Sequence, residues 1–303
     1  MATTDTDETQ DGLSRLSLED AEILSPQQML NEFEVVHICA PMVRYSKLPF
    51  RQLVSEYETH ITFTPMILHR VAKRKGISRY VDGIDINCGC PQQWACKEGI
   101  GSALLRKPDL VRELVRFIKV SCGQDFPVSI KIRIDDDLRN TSQLIKTAIQ
   151  ANVSMITVHG EYPRLPKQRK AGKEMRLKGV NDGRTVPVVA KGDIFSLDDA
   201  RKIREMCEVH GVMSARGLQE NTALFAGYDR IPLAGIQRFL SLSAQNGFMF
   251  PLFHRHLADM LGPWFSSQEE KKFFNMLSSP PFVIDFLEET YNIQPPPLPE
   301  IIF

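Results

Sequence analysis

Gly83-Ile84-Asp85-Ile86-Asn87-Cys88-Gly89-Cys90-Pro91, followed by Gly99-Ile100-Gly101-Ser102-Ala103-Leu104-Leu105, is the stretch on which the fold turns. It describes a short apolar strand that stops at a Gly-Cys-Pro turn and leaves a cysteine at its C-terminal end. The glycines that follow let the backbone approach something closely. A cysteine at a strand end, beside a tight turn, is placed for chemistry rather than for packing.

Strands of the same character recur on both sides. They are expected at Val35-Ala40, Ile61-Met66, Gly83-Asn87, Pro127-Ile134, Ser154-His159, Val186-Lys191 and Gly211-Ser214. Amphipathic helical spacing lies between several of them, as in Leu110, Val111, Leu114, Val115 and Ile118. Thr141-Ala151 and Leu197-Cys207 fit two more helices, the second with Ser196 as N-cap and Asp198 and Asp199 in its first turn. Alternating strands and helices imply parallel βαβ units. An alternation of this length favours a TIM-type (βα)8 barrel over a doubly wound sheet. No G-x-G-x-x-G dinucleotide fingerprint follows the first strand. The strands number seven where a barrel needs eight. Leu68 to Asp82 is too short to hold the missing helix, strand and connections. The expected fold is therefore a barrel lacking one helix-strand unit.

The 303 residues suffice for such a barrel with an appendage. Residues 1–25 are polar and acidic and read as a disordered tail, with the barrel over 26–230. From Ile231 to Ile293 the apolar spacing is helical throughout and suits a small C-terminal bundle. Residues 294–303 form a proline-rich, stiff tail. Formal net charge is zero, so nucleic-acid affinity must come from local patches. Two stand out: the basic run His69 to Arg79, and Arg164 to Lys178. The second follows a strand end, where it can meet RNA phosphates. Six cysteines without framework spacing suggest a reducing compartment. No apolar run spans a bilayer and no signal segment is visible, so a cytoplasmic protein without membrane attachment is expected.

In a parallel barrel the strand C-termini carry function. Here they present Ala40-Pro41-Met42, Asn87 with Cys90, Lys131 with Asp135 to Asp137, His159-Gly160, Lys191-Gly192-Asp193 and Ala215-Arg216-Gly217. The last two turns pair glycine with a cation at the usual phosphate site of this fold. A phosphate site with a lysine and a histidine around an apolar cavity suits FMN, which needs a cation near its pyrimidine edge when reduced. Singly, each residue has a plainer explanation. Lys131 can snorkel to the rim, His159 can cap, and Cys88 and Cys90 can be small buried hydrophobes. Cys88, Cys90 and Cys96 have a C-x-C-x5-C spacing unlike zinc knuckles and lack a fourth ligand nearby, so no metal is expected.

These segments resemble the tRNA-dihydrouridine synthase family over about residues 35–293. The resemblance is carried by Ala40-Pro41-Met42, Asn87-Cys88-Gly89-Cys90-Pro91 with Gly99-x-Gly101 and Leu104-Leu105, and Ser129-Ile130-Lys131-Ile132-Arg133. Thr157-Val158-His159-Gly160, Lys191-Gly192-Asp193-Ile194 and Ala215-Arg216-Gly217 complete it. Asp85 to Gln92 and Phe274 to Ser279 resemble the fourth eukaryotic subgroup. The resemblance implies an FMN-binding barrel with a helical tRNA-binding domain over 231–293. It implies that NADPH or NADH reduces FMN, that hydride passes to uracil C6, and that Cys90 gives a proton to C5. A thiol, with an ordinary pKa near ~8.5, suits that acid role. Asn87 would bond the uracil edge, of uridines 20a and 20b in the D-loop. Pro41, Met42, Val43, Lys131 and His159 would hold the flavin, and Lys191, Gly192, Asp193, Ala215 and Arg216 its phosphate end. A monomer is expected.

The chain departs from the family pattern at three places. It lacks a helix and a strand whose glutamine contacts FMN. Lys191 stands where the family has Asn, and Glu161-Tyr162 where it has Arg-Thr. Two alternatives stay open: a catalytically impaired, shortened form that only binds tRNA, and an FMN barrel acting on a small molecule.

Overall fold

The computed structural model describes residues 24–67, 80–160 and 186–294. Most of the expected N-terminal tail, both basic runs, and the proline-rich tail from residue 295 lie outside these.

Seven strands form one all-parallel sheet. They are β1 (Val36–Cys39), β2 (Ile61–Thr62), β3 (Ile84–Cys88), β4 (Val128–Arg133), β5 (Met155–His159), β6 (Val188–Lys191) and β7 (Gly211–Ser214), in the order β2-β1-β7-β6-β5-β4-β3. The first and last strands pair directly, with Val36 opposite Gly211 and Cys39 opposite Ser214. First-to-last pairing of this kind curves the sheet in the manner of a barrel. Among the described residues the sheet is open between β2 and β3. All seven expected strands are found, but β2 is shorter than the expected Ile61–Met66. Its ladder runs only from Ile38↔Ile61 to Cys39↔Thr62. Pro41 ends β1 two residues on, and Pro65 has no N–H to extend β2.

Alternate residues of the strands fill the interior. Val36, Ile38 and Ala40 of β1 join Met155, Val189 and Met213 in one small buried cluster. Leu30 closes that cluster from a short helix, α1 (Pro26–Glu32). Ser25 and Gln28 form a capping box there: Ser25 Oγ accepts from the Gln28 N–H, and Gln28 Oε1 accepts from the Ser25 N–H at 2.8 Å. The outward faces pack against helices α2 (Leu48–Ser55), α4 (Pro108–Cys122), α5 (Leu138–Gln150), α6 (Leu197–Cys207) and α7 (Arg216–Glu220), while the short α3 (Gln93–Lys97) follows the turn after β3. Ser196 caps α6 as expected, its hydroxyl accepting from the Asp199 N–H at 3.0 Å.

Four helices follow: α8 (Leu233–Gln245), α9 (Phe250–Met260), α10 (Gln268–Met276) and α11 (Pro280–Tyr291). Their buried residues belong to the same apolar cluster as the outside of the sheet. Polar ties reinforce the contact. Arg238 of α8 makes a two-pronged ion pair with Glu56, its closest approach 2.8 Å. Tyr45, in the loop after β1, donates to Asp259 of α9 at 2.9 Å and accepts from Arg255 at 2.9 Å.

His256 of α9 is 1% exposed and lies among the rings of Tyr45, Phe50, Phe239 and Phe248, at centroid distances of 4.9, 5.0, 5.3 and 5.6 Å. Burial drives its pKa down to about 4. A histidine with a depressed folded pKa stabilises the fold fully above its unfolded value. That stability is lost as pH falls below it. His256→Leu, similar in volume, should remove this dependence. From pH 7.5 to 5.5 the wild type should lose about 1 kcal/mol more unfolding free energy than the variant, by urea titration. Equal losses in both would show that His256 does not titrate in this range.

Candidate active site

The site is built on the C-terminal end of β3. Its strand period puts Asp85 and Asn87 on the interior face and turns Cys88 outward, where it is fully buried. Burial pushes the Cys88 thiol pKa up and keeps it unreactive. After β3 the chain turns sharply, and Asn87 makes the turn. Its Oδ1 accepts from the N–H groups of Gly89 and Cys90, both at 3.0 Å. On the other side the Cys90 carbonyl accepts from the Ser102 N–H at 2.9 Å. Cys96 Sγ also reaches that carbonyl, at 4.0 Å, and lies 3.2 Å from Ser102 Oγ. The Cys90 backbone is thus gripped at both its N–H and its C=O.

Gly101 makes this grip possible. Its φ is +64°, and a Cβ there would stand 2.7 Å from the Cys90 carbonyl oxygen. The expected close approach is therefore to the cysteine turn itself. The following segment, Gly101–Arg106, is a 3-10 helix, and Gln93–Lys97 a short α-helix. Neither was foreseen, because both are shorter than a periodicity window resolves.

Asn87 pairs in register with Lys131 of β4, and Arg133 of β4 with His159 of β5. His159 in turn pairs with Lys191 of β6. Lys191 Nζ and His159 Nε2 are 2.8 Å apart, so the histidine accepts there from the ammonium. Burial, then the charges of Lys131, Lys191 and Arg133, hold the His159 pKa far below its usual value, to about 2. The ring is neutral at any working pH. The Lys131 ammonium is pulled down by burial and by Lys191, and raised by Asp85. Asp85 accepts from Ser129 Oγ at 2.7 Å, and burial pushes its carboxyl up. Asp85 and Ser129 were missed as site residues. The signal was available: Asp85 stands two residues before Asn87, hence on the same strand face.

The turns after β6 and β7 meet as expected. Arg216 forms an ion pair with Asp193, and its guanidinium lies 5.7 Å from the Phe195 ring centroid. Gly217 is needed for this approach: a Cβ there would lie 2.0 Å from the Ile194 carbonyl oxygen. That carbonyl accepts from Ser214 Oγ at 2.9 Å. Next to β7, the loop Pro41-Met42-Val43 is set by Ser46, whose Oγ accepts from the Met42 N–H at 2.9 Å and donates to the Ala40 carbonyl at 3.0 Å. Met42 Sδ lies 3.1 Å from Gln219 Nε2 of α7. The expected positions thus lie at strand C-termini or in the turns that follow them. A cavity of about 380 Å³ opens at the β2–β3 seam, lined by Thr62, Thr64, Met66, Tyr80, Asp85 and Asn87 among others.

The donor set fits an anionic, planar cofactor. Lys131, Arg133 and Lys191 converge around a neutral histidine with Asp85 as the carboxylate nearby. A group carrying negative charge is what such a mouth stabilises. The fold is that of an α/β protein with a parallel, barrel-like sheet, and a cysteine turn and several cations stand at its strand ends. The chain belongs to the dihydrouridine synthase family: the family model described as Dihydrouridine synthase (Dus) matches residues 68–275. It is 40% identical over 300 residues to the tRNA-dihydrouridine(20a/20b) synthase, NAD(P)+, of Schizosaccharomyces pombe, covering 87% of this chain and 90% of that one. It is 38% identical over 302 residues to the like-named mouse protein, Mus musculus, covering 88% and 92%. With the human one, Homo sapiens, identity is 37% over 304 residues, covering 88% and 95%.

Asn87→Ala removes the acceptor of two N–H groups at the cysteine turn. It should destabilise the fold by about 1–2 kcal/mol and change the rate at which iodoacetamide alkylates Cys90. Asn87→Asp, which keeps the acceptor, should preserve both. Unaltered alkylation in Asn87→Ala would mean the turn is held without this side chain.

Proposed function

We propose that this protein is a tRNA-dihydrouridine synthase that reduces the C5–C6 bond of uridines 20a and 20b in the D-loop with NAD(P)H. The observation that carries this reading is the doubly gripped Cys90 turn, standing beside the strand that bears Lys131. The names of its relatives, matched over nearly their whole length, support the same substrate.

FMN, when bound, supplies the hydride that adds to uracil C6. The chain's own residues do the rest. Lys131 would hold the pyrimidine edge of the flavin with its ammonium, and Asp85 beneath it favours that charged form. His159, kept neutral by its lysine neighbours, would offer a hydrogen bond without adding charge. Pro41, Met42 and Val43 would pack against the ring. Gly192, Asp193, Ala215 and Arg216, with Lys191, would receive the phosphate end. The target base must leave its stack to reach this mouth. Asn87 has its oxygen committed to the turn and one amide N–H directed at Met66 Sδ, at 2.6 Å, so the second amide N–H would be the one to donate to a uracil carbonyl. Cys90 would then deliver a proton to C5 as general acid, from a position its backbone contacts fix. The Asn-to-Lys departure at 191 finds a role here: Lys191 binds His159 directly.

The four helices over 231–293 are proposed as the tRNA-binding domain, tied to the barrel rim through Tyr45. The seam between β2 and β3 is proposed as the place of the missing helix-strand unit. By the resemblance the family has a helix and a strand there, and Leu68 to Asp82 is too short to hold both with their connections.

Purified protein should show a bound-flavin absorbance spectrum. Cys90→Ala should keep that spectrum and the affinity for tRNA, while lowering dihydrouridine formation by roughly 100-fold or more. Full activity in Cys90→Ala would remove the cysteine from the mechanism. Folded protein that binds tRNA but takes up no FMN would favour the shortened, non-catalytic form.

A further inference from the structure

We infer that the indole of Trp94 is a stacking platform for the nucleotide next to the target uridine, with Lys97 on the adjoining phosphate. The inference rests on the tRNA-directed activity proposed above.

The chain has two tryptophans, and their settings differ sharply. Trp264 is used by the fold. Its N–H donates to the Ile231 carbonyl at 3.0 Å, and the Arg230 guanidinium lies 3.6 Å from its ring centroid. Trp94 is 52% exposed. Its indole N–H donates to Gln92 Oε1 at 2.6 Å, which fixes the edge of the ring. Among the described residues no ring or cation stacks on its face. An exposed tryptophan held by one edge is a costly surface feature unless something covers the face.

Its position says what would cover it. Trp94 lies on α3, four residues after Cys90, a separation that spans at most roughly 14 Å of chain. The neighbouring Ala95 is buried, and a Cβ on Gly101 would touch both Ala95 Cβ, at 3.5 Å, and Cys90 Cβ, at 3.2 Å. So α3 is packed directly on the cysteine turn, and its orientation is fixed by that contact. Lys97 stands three residues after Trp94, hence on the same helix face, and is exposed. An aromatic face next to a cation is the pattern by which proteins hold single-stranded nucleic acid: the base stacks and the ammonium meets the backbone. A uridine drawn out to Cys90 leaves its neighbour unstacked, and the free indole face is within reach to replace the lost stacking.

The test uses the full chain with Trp264→Phe, leaving Trp94 as the fluorophore, and transcribed tRNA whose binding is followed separately by anisotropy. Binding should quench the Trp94 emission. Trp94→Leu should weaken tRNA binding and raise KM for tRNA by about 5- to 100-fold, the range of one lost base stack, with kcat little changed. Trp94→Phe should recover part of the loss, since it restores a ring. Lys97→Ala should reduce the salt dependence of binding by about one phosphate contact. If tRNA binds and is reduced but Trp94 emission and the Trp94→Leu affinity are unaltered, stacking is overturned and the synthase reading stands. If tRNA does not bind at all, both fall together.

Discussion

The pairing of β1 with β7 is the constraint on which the molecule depends. Strands separated by most of the chain are zipped in parallel register from Val36↔Gly211 to Cys39↔Ser214. Because every strand of the sheet is parallel to its neighbours, this one closure brings all the C-terminal strand ends to a single rim. The cysteine turn, Lys131, His159 and the two glycine-cation turns are neighbours through the β3 to β7 ladders, and the β1–β7 pairing sets the Met42 loop beside them. The same closure shapes the inside, where Val36, Ile38, Val189 and Met213 share one buried cluster with Leu30.

Electrostatics at the rim follow from strand register rather than from any single residue. Lys131 and Arg133 project from β4 and Lys191 from β6, on either side of His159 on β5, and their proximity is unfavourable in the absence of an anion. The protein manages that repulsion in three ways. His159 remains uncharged, Asp85 sits beneath Lys131, and Arg216 is turned to Asp193. What is left is an attraction for negative charge that the protein has already reduced to a useful size.

Much of this was legible before the structure. The seven strands, the α6 cap at Ser196 and the grouping of strand-end residues follow from periodicity and local chemistry. Other features were not legible, and for physical reasons. Leu30 plugs the interior through a tertiary contact that no local pattern encodes. The Asp85–Ser129 bond joins residues on two strands, and only their register reveals it. Asn87 illustrates a subtler limit. Its type and place announced a polar contact, yet its oxygen serves the backbone of the turn rather than facing outward. A side chain's partner is decided by the conformation it helps to create. The membership in the dihydrouridine synthase family was legible in the motifs themselves, because those motifs are the strand ends and turns that the fold brings together.

The open seam has a consequence for motion. Among the described residues β3 is laddered on one side only, to β4, while β4 to β7 and β1 are held on both. An edge strand is where a sheet breathes most readily. The cysteine turn therefore hangs from one of the two edge strands among the described residues. Its rigidity must come from its own short-range contacts, through Asn87, Ser102 and the Gly101 approach. In this chain the precision of the site is a local property, held by a few hydrogen bonds, rather than a dividend of the barrel as a whole.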